Sequence, residues 1–338
     1  MNRKNLIVIG TSAGGLEALI TLLTPLKKDL PAAILIVQHV SPTSLIEVLV
    51  STLQKHTSLH CKSGEDGDLL QDGCVYLAPT DQHMLVVDGH IWLTKGPREN
   101  GFRPAIDTLF RSAAAYYGQY TIGVILTGLL YDGTVGMEAI RRSGGLTLVQ
   151  DPADAAYQDM PRNVLHHMEV DYVVPAAEIG VLLEELVHRY RPDREQGAPD
   201  DIKAEAAIVE RVMTATENVE SLGHRSVFVC PDCGGSLWQM KQEGVARYRC
   251  YAGHAYVAET LLENKDQQLE ETLWIVMRIL EERKNMLTVL ASQSQQNADV
   301  KNMYEDKIRE ADSHIARIKS IIMTDSRAHE VLSKKAEN

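Results

Sequence analysis

Three residues able to do hydrolytic chemistry follow apolar runs in this chain. Ser12 lies in Gly10-Thr11-Ser12-Ala13-Gly14, at the end of "LIVIG". His39 follows "AILIVQ", and Asp132 comes a few residues after "TIGVILTG". A serine hydroxyl is a weak nucleophile until a neutral imidazole takes its proton. A carboxylate that fixes the imidazole tautomer and stabilises the cation completes the set. A helical pattern follows Ser12, so the N–H groups of Ala13 and Gly14 would be free donors at its first turn. They would sit at the positive end of the helix dipole, suited to a developing oxyanion. The competing role for Ser12 is a plain helix N-cap. The window fits G-x-S-x-G, and fits neither a dinucleotide-binding G-x-G-x-x-G nor a Walker A loop. An α/β-hydrolase order, serine then acid then histidine, would pair His166 or His167 with Asp132. "VLHHMEVD" reads as a helix end rather than a loop after a strand, so His39 is the expected base.

A second chemistry lies downstream. Cys230-Pro-Asp-Cys233 is followed by Cys250 and His254, giving three thiolates and one imidazole at zinc-ribbon spacing. Four protein ligands leave no open position, so the expected metal is a structural zinc, with a redox CxxC as the alternative. Cys61 and Cys74 read as ordinary buried residues.

The elements that must place these residues alternate. "LIVIG", "AAILIVQ", "VYLAP", "TIGVILTG" and "LTLVQ" are short buried strands, separated by helical patterns such as "LEALITLLTPL" and "AIDTLFRSAAAYYG". "HMLVVDGHIWLT" is a hairpin turning at Asp88-Gly89. Such a pattern predicts an α/β fold with a doubly wound, mostly parallel sheet over residues 1–190. In that fold, ligands bind outside the carboxyl ends of the strands, where Ser12, His39 and Asp132 would converge. Residues 191–203 are polar, with Pro and Gly, and read as a linker. A helix from about Ala204 to Ser221 and the Cys/His module fill 204–256. From 257 to 338 heptad-like steps dominate: Leu269, Leu273, Val276, Leu280, Leu287 and Leu290, then Ile308, Ala311, Ile315, Ile318 and Ile322. Between them the same phase meets Ser294, Asn297 and Lys301, which favours a helical hairpin over one interrupted coiled-coil helix.

Composition narrows the partners. The 338 residues carry a net charge of −12, which lacks the basic footprint of a nucleic-acid binder. No apolar run approaches the roughly 18 residues of a membrane span. The first apolar run is too short for a signal peptide, so a cytoplasmic location is expected.

Taken together and in order, "IGTSAGGLEAL", "VQHVSPT", "VYLAPTDQHM", "RPAIDTLFRSAA", "IGVILTGLLYDGTVGM" and "VQDPADAAYQDMPRNVL" resemble the catalytic domain of the chemotaxis protein-glutamate methylesterases, the CheB family. The resemblance spans about residues 5 to 188. It implies that Ser12 is the nucleophile, His39 the general base and acid, and Asp132 the orienting carboxylate. It also implies that the Leu129 N–H helps hold the oxyanion. The implied activity is hydrolysis of glutamyl methyl esters on the cytoplasmic helices of chemoreceptors, with deamidation of selected glutamines, and no catalytic cofactor. Arg103 and Arg162 fall in matching segments, where they would either position the acidic receptor helix or form structural salt bridges. The closing helices would dock on receptor bundles or other chemosensory proteins. Two departures stand out. The family's Gly-Met-Gly is here Gly128-Leu129-Leu130, and glycine permits a positive φ that leucine resists. No phosphorylatable receiver is expected ahead of residue 5. The rival readings are a non-catalytic receptor-binding scaffold on the same fold and a small-molecule serine esterase.

Overall fold

The computed structural model describes residues 5–41, 43–189, 197–210, 222–241, 244–294 and 297–336, the side chains of 210 and 324–336 excepted. It divides into two units, Met1–Leu261 and Leu262–Asn338.

The strands of the first unit begin with β1 (Asn5–Thr11), β2 (Ala32–Gln38), β3 (His60–Ser63) and β4 (Cys74–Leu77). A hairpin of β5 (His83–Val87) and β6 (His90–Thr94) follows, then β7 (Thr121–Ile125), β8 (Leu146–Gln150) and β9 (Tyr172–Val174). Seven of these form one sheet in the order β3-β4-β2-β1-β7-β8-β9, and every pairing in it is parallel. Strand side chains alternate, and here both faces are covered. Ile7 and Ile9 pack into one core with helices α1 (Gly15–Leu23), α2 (Ile46–Gln54) and α6 (Ala176–Arg189). Leu6 and Val8 pack into the other with α3 (Ile106–Tyr117), α4 (Thr134–Arg142) and α5 (Asp159–His167). The continuous apolar runs are therefore buried twice over, as the sequence implies. The β5–β6 turn takes positive φ at both Asp88 and Gly89, the signature of a tight hairpin.

Two strands of the seven-stranded sheet are additional to the sequence reading. β3 and β9 are the sheet's edges, short and only partly buried, so neither shows a long apolar run. Helix α7 (Asp200–Glu210) begins inside the expected linker, with Asp200 and Asp201 suited to its positive N-terminus. The rest of that linker to 196, and of the following helix from 211, lies outside the described residues.

A small antiparallel sheet completes the first unit: β10 (Gly223–Val229), β11 (Ser236–Met240), β12 (Arg247–Cys250) and β13 (Ala255–Val257), in that order. It meets α3 and α7 through buried charges. Arg111 from α3 and Arg249 from β12 both reach Glu99, each at 2.7 Å. Arg247 and Arg249 also reach Glu205 of α7, at 2.5 and 3.1 Å. Burial of Glu99 opposes its charge, but the flanking guanidinium groups outweigh that and hold it at about 2.

In the second unit, α8 (Ala258–Gln293), which starts at the end of the first unit, continues from Leu262 and is followed by α9 (Ala298–Ala336). Lys284 of α8 pairs with Asp312 of α9 at 2.7 Å, so the two lie side by side as a hairpin. Leu287, Ala291, Ala311, Ile315 and Ile322 are buried. Asn297 accepts the Val300 N–H and caps α9, which explains the polar break in the heptads.

Candidate active site

Strand order places the site. From β1 the chain winds outward through β2 and later returns on the opposite side at β7. The reversal opens a crevice at the carboxyl ends of these central strands. Thr11 and Gln38 are register partners, so the next residues, Ser12 and His39, emerge side by side from strands about 4.8 Å apart. The His39 N–H donates to Thr11 O at 3.0 Å, and Gln38 Nε2 donates to Ser12 O at 2.6 Å. From the other side, the Ser12 N–H donates to Thr127 O at 3.1 Å. Ser12 is thus stitched to both neighbouring strand ends through its backbone.

Its side chain is not a cap. The α1 N-cap is Gly14, at φ 74, and no side chain caps that helix. The Ser12 hydroxyl and the N–H groups of Ala13 and Gly14 have no hydrogen-bond partner among the described residues.

His39 Nε2 lies 2.9 Å from Asp132 Oδ2, with the His39 side chain 5% exposed. A carboxylate only accepts, so Nε2 carries the hydrogen and Nδ1 the lone pair. Nδ1 is buried and has no hydrogen-bond partner among the described residues. Phe102 stacks on the imidazole at 3.8 Å and 9°.

Asp132 is held from several sides. Its Oδ2 accepts the Ile106 N–H at 2.6 Å, and its Oδ1 accepts the Asp107 N–H at 3.2 Å, both at the start of α3. Asp107 reciprocates at α4, accepting the N–H groups of Gly133 and Gly136 at 3.0 and 2.6 Å. Each carboxylate thus satisfies the other helix's unpaired donors. Burial, reinforced by the neighbouring Asp132 carboxylate, pushes Asp107 up to about 7. Asn100, Phe102 and Asp107 escaped the sequence reading as site residues. The Asn-Gly pair at 100–101 is a turn signal that could have marked that loop.

The loop after β7 closes the crevice. A Cβ on Gly128 would come within 2.1 Å of Met160 Sδ and 2.9 Å of Ser12 Cβ, so only glycine fits against the serine. Leu129, next in the chain, is exposed, and Leu130 takes the positive φ of 69° that glycine would adopt freely. Arg103 is engaged by Asp81 at 2.6 Å, a structural ion pair. Arg162 is exposed and forms no ion pair among the described residues. His166 and His167 end α5; His167 Nδ1 bonds to Asn163 O, and of these three histidines His39 is the one that bonds to Asp132. The α/β-hydrolase order is therefore not the one assembled.

Away from the crevice, one ligand atom each from Cys230, Cys233, Cys250 and His254 gathers within 4.8 Å. Cys233 and Cys250 sulfurs are 3.7 Å apart, and Cys250 Sγ is 3.5 Å from His254 Nδ1. A tetrahedron with zinc–sulfur arms of about 2.3 Å has edges of about 3.8 Å, so the donors fit that ion. His254 Nε2 faces Asp232 at 3.8 Å, a carboxylate able to orient the ring.

Ser12 and His39 leave neighbouring strand ends at the switch point of a doubly wound parallel sheet, and His39 pairs with Asp132; these are residue types that serine hydrolases use. Residues 7–183 match the family model described as CheB methylesterase. A Methanosarcina mazei protein named protein-glutamate methylesterase/protein-glutamine glutaminase 2 is 35% identical over 180 residues, 51% of this chain and 49% of its own. A Leptospira interrogans relative is 40% identical over 177 residues, 52% of this chain and 91% of its own. The crystal structure of the Thermotoga maritima CheB methylesterase catalytic domain superposes with a TM-score of 0.53 at 36% identity, covering 54% of this chain and 99% of that one. The chain belongs to the CheB methylesterase family. It spans about half the length of the Methanosarcina relatives it matches.

Proposed function

We propose that this chain is a cytoplasmic serine esterase of chemosensory signalling, hydrolysing glutamyl methyl esters on chemoreceptor helices and deamidating glutamines there. The observation that carries the reading is the His39–Asp132 pair, with Nδ1 left unpartnered beside the strand end that bears Ser12. Ser12 Oγ attacks the ester carbonyl carbon, and its proton passes to His39. The oxyanion is received by N–H groups of Ala13, Gly14 and Leu129. Collapse expels methanol, which takes the proton from His39. Water then attacks the acyl-serine by the same route and frees the carboxylate. With glutamine the leaving group is ammonia. Arg162 is free to face an acidic helix, and Leu269, Trp274, Ile275 and Ile279 leave apolar surface on α8 for docking. Residues 1–190 would form the catalytic domain, and Cys230, Cys233, Cys250 and His254 would hold a structural zinc.

Methanol release from methylated receptor tests the activity. Wild type should release methanol, and Ser12→Ala and His39→Ala should not. No release from wild type would favour a non-catalytic scaffold. Full activity in His39→Ala would exclude this triad. Zinc content near one ion per chain, lost in a Cys230→Ser/Cys233→Ser variant, tests the metal site.

A further inference from the structure

The turn Glu99-Asn100-Gly101-Phe102 touches both triad partners and the small sheet at once. Asn100 (φ 50) and Gly101 (φ 82) both take positive φ, as a two-residue type I′ turn requires. Backbone bonds between Glu99 and Phe102, at 3.2 and 2.9 Å, close it. On one side, Phe102 lies flat on His39, and Asn100 Nδ2 reaches Asp107 Oδ2 at 2.9 Å and Asp132 Oδ1 at 3.5 Å. On the other side, the Asn100 N–H donates to Ala255 O at 2.8 Å, and the Val257 N–H donates to Asn100 Oδ1 at 3.0 Å. β13 is an edge strand of the small sheet, and the turn lies along it as one more rung, with Glu99 opposite Ala255. Tyr131, next to Asp132, packs with Val257 of β13 and with Val245 from the loop that joins β11 to β12.

We propose that the small sheet is a positioning element for the triad: β13 fixes the turn, and the turn fixes how His39 and Asp132 face each other. The inference rests on the esterase reading above. An isolated two-residue hairpin is marginal in water. Here its two backbone-directed anchors outside the turn, Ala255 O and the Val257 N–H, both come from β13. Asn100 is the hinge of the arrangement, because its oxygen is spent on the small sheet and its nitrogen on the two carboxylates. Releasing it would let the Phe102 face and the Asp132 carboxylate drift. Misplacement of about 1 Å in such a constellation costs up to about a hundredfold in rate.

Two variants isolate the link in the full chain. Asn100→Gly keeps a residue suited to positive φ and removes the amide. Val257→Pro removes one N–H that points away from β12, at an edge strand where proline is tolerated. Hydrolysis of p-nitrophenyl acetate is followed, so receptor docking plays no part, and active sites are counted by fluorophosphonate labelling of Ser12. The expected result is a fall in kcat per labelled site of about tenfold to a hundredfold, with KM within about twofold of wild type. Unchanged kcat in Asn100→Gly overturns the inference and leaves the esterase reading intact. A rise in kcat overturns it in favour of a sheet that screens the crevice. Absence of Ser12-dependent turnover in wild type overturns the esterase reading itself, and this inference with it.

Discussion

The crevice edge and the small-sheet interface belong to one unit of the molecule, yet they are held by opposite means. At the crevice, the backbone does the placing. Ser12 and His39 are set by the register of Thr11 with Gln38, and by bonds from main-chain atoms on both sides. At the interface, side chains do it. Glu99, Arg111, Glu205, Arg247 and Arg249 are all nearly fully buried, come from four separate parts of the chain, and depend on one another's charge. Backbone placement tolerates changes in nearby side chains, whereas a buried charge stripped of its partner is strongly destabilising. Substitutions at the crevice should therefore remove turnover and spare stability. Those at the interface should lower stability first.

The largest effect is expected at Asp132. Asp132→Asn keeps one oxygen able to accept from the start of α3, places an NH2 where the other stood, and no longer enforces the imidazole tautomer. Turnover should fall about ten-thousandfold. The thermal midpoint, measured alongside, should stay within a few degrees; a collapse in stability would break the contrast drawn above.

Glu205→Gln attacks the interface instead. It leaves Arg247 and Arg249 short of a buried counter-charge, a change that costs about 3–5 kcal/mol when a buried pair loses one partner. Urea unfolding should show that loss, and limited proteolysis should cut the small sheet earlier than in wild type. A stability change under about 1 kcal/mol would mean that water reaches these charges.

The interface also fixes the acid limb of stability. Glu99 is held at about 2, below its ordinary value of 4.5. Its contribution to stability is complete above about 4.5 and is lost as pH falls toward 2, because the unfolded chain takes up the proton first. Glu205 is depressed in the same direction by Arg247, Arg111 and Arg249 despite its burial. The urea midpoint should fall on acidification through this window, and Glu99→Gln should flatten the fall. An unaltered acid limb in that variant would shift the cause to other carboxylates.

Legibility in the sequence followed the same divide. The central strands announced themselves as apolar runs, and the edge on which Ser12 and His39 emerge side by side was legible from them, because strand ends in a parallel sheet must share an edge. The Cys/His cluster was legible from spacing alone. The edge strands β3 and β9 were not, since partial burial removes the apolar signal. The Glu99–Arg249 pairing was not legible either: a charged residue gives no sign of the partner that neutralises it 150 positions away. Asn100 and Phe102 were hidden for a related reason, since their roles arise only when the small sheet and the crevice meet across one turn.

The smallest effect is expected at Leu130, a non-glycine residue held at positive φ in the loop before Asp132. A non-glycine residue at φ 69 carries roughly 1–2 kcal/mol of strain. Two anchors hold it there. Asn163 Nδ2 donates to Leu130 O at 2.7 Å, and Tyr131 is packed against Val135, Val245 and Val257. Strain of this kind persists where the surroundings over-determine the backbone. Leu130→Gly relieves it, against an entropic cost of about 0.5–1 kcal/mol for the added glycine. The net gain should be no more than about 1 kcal/mol, read as a rise of roughly 1–3 °C in thermal midpoint. Leu130 is 37% exposed, so the substitution also forfeits the partial burial of its side chain, which works against the gain. A lower midpoint would show that its remaining contacts outweigh the strain. The crevice would then depend on a side chain after all, and its difference from the small-sheet interface would be one of degree.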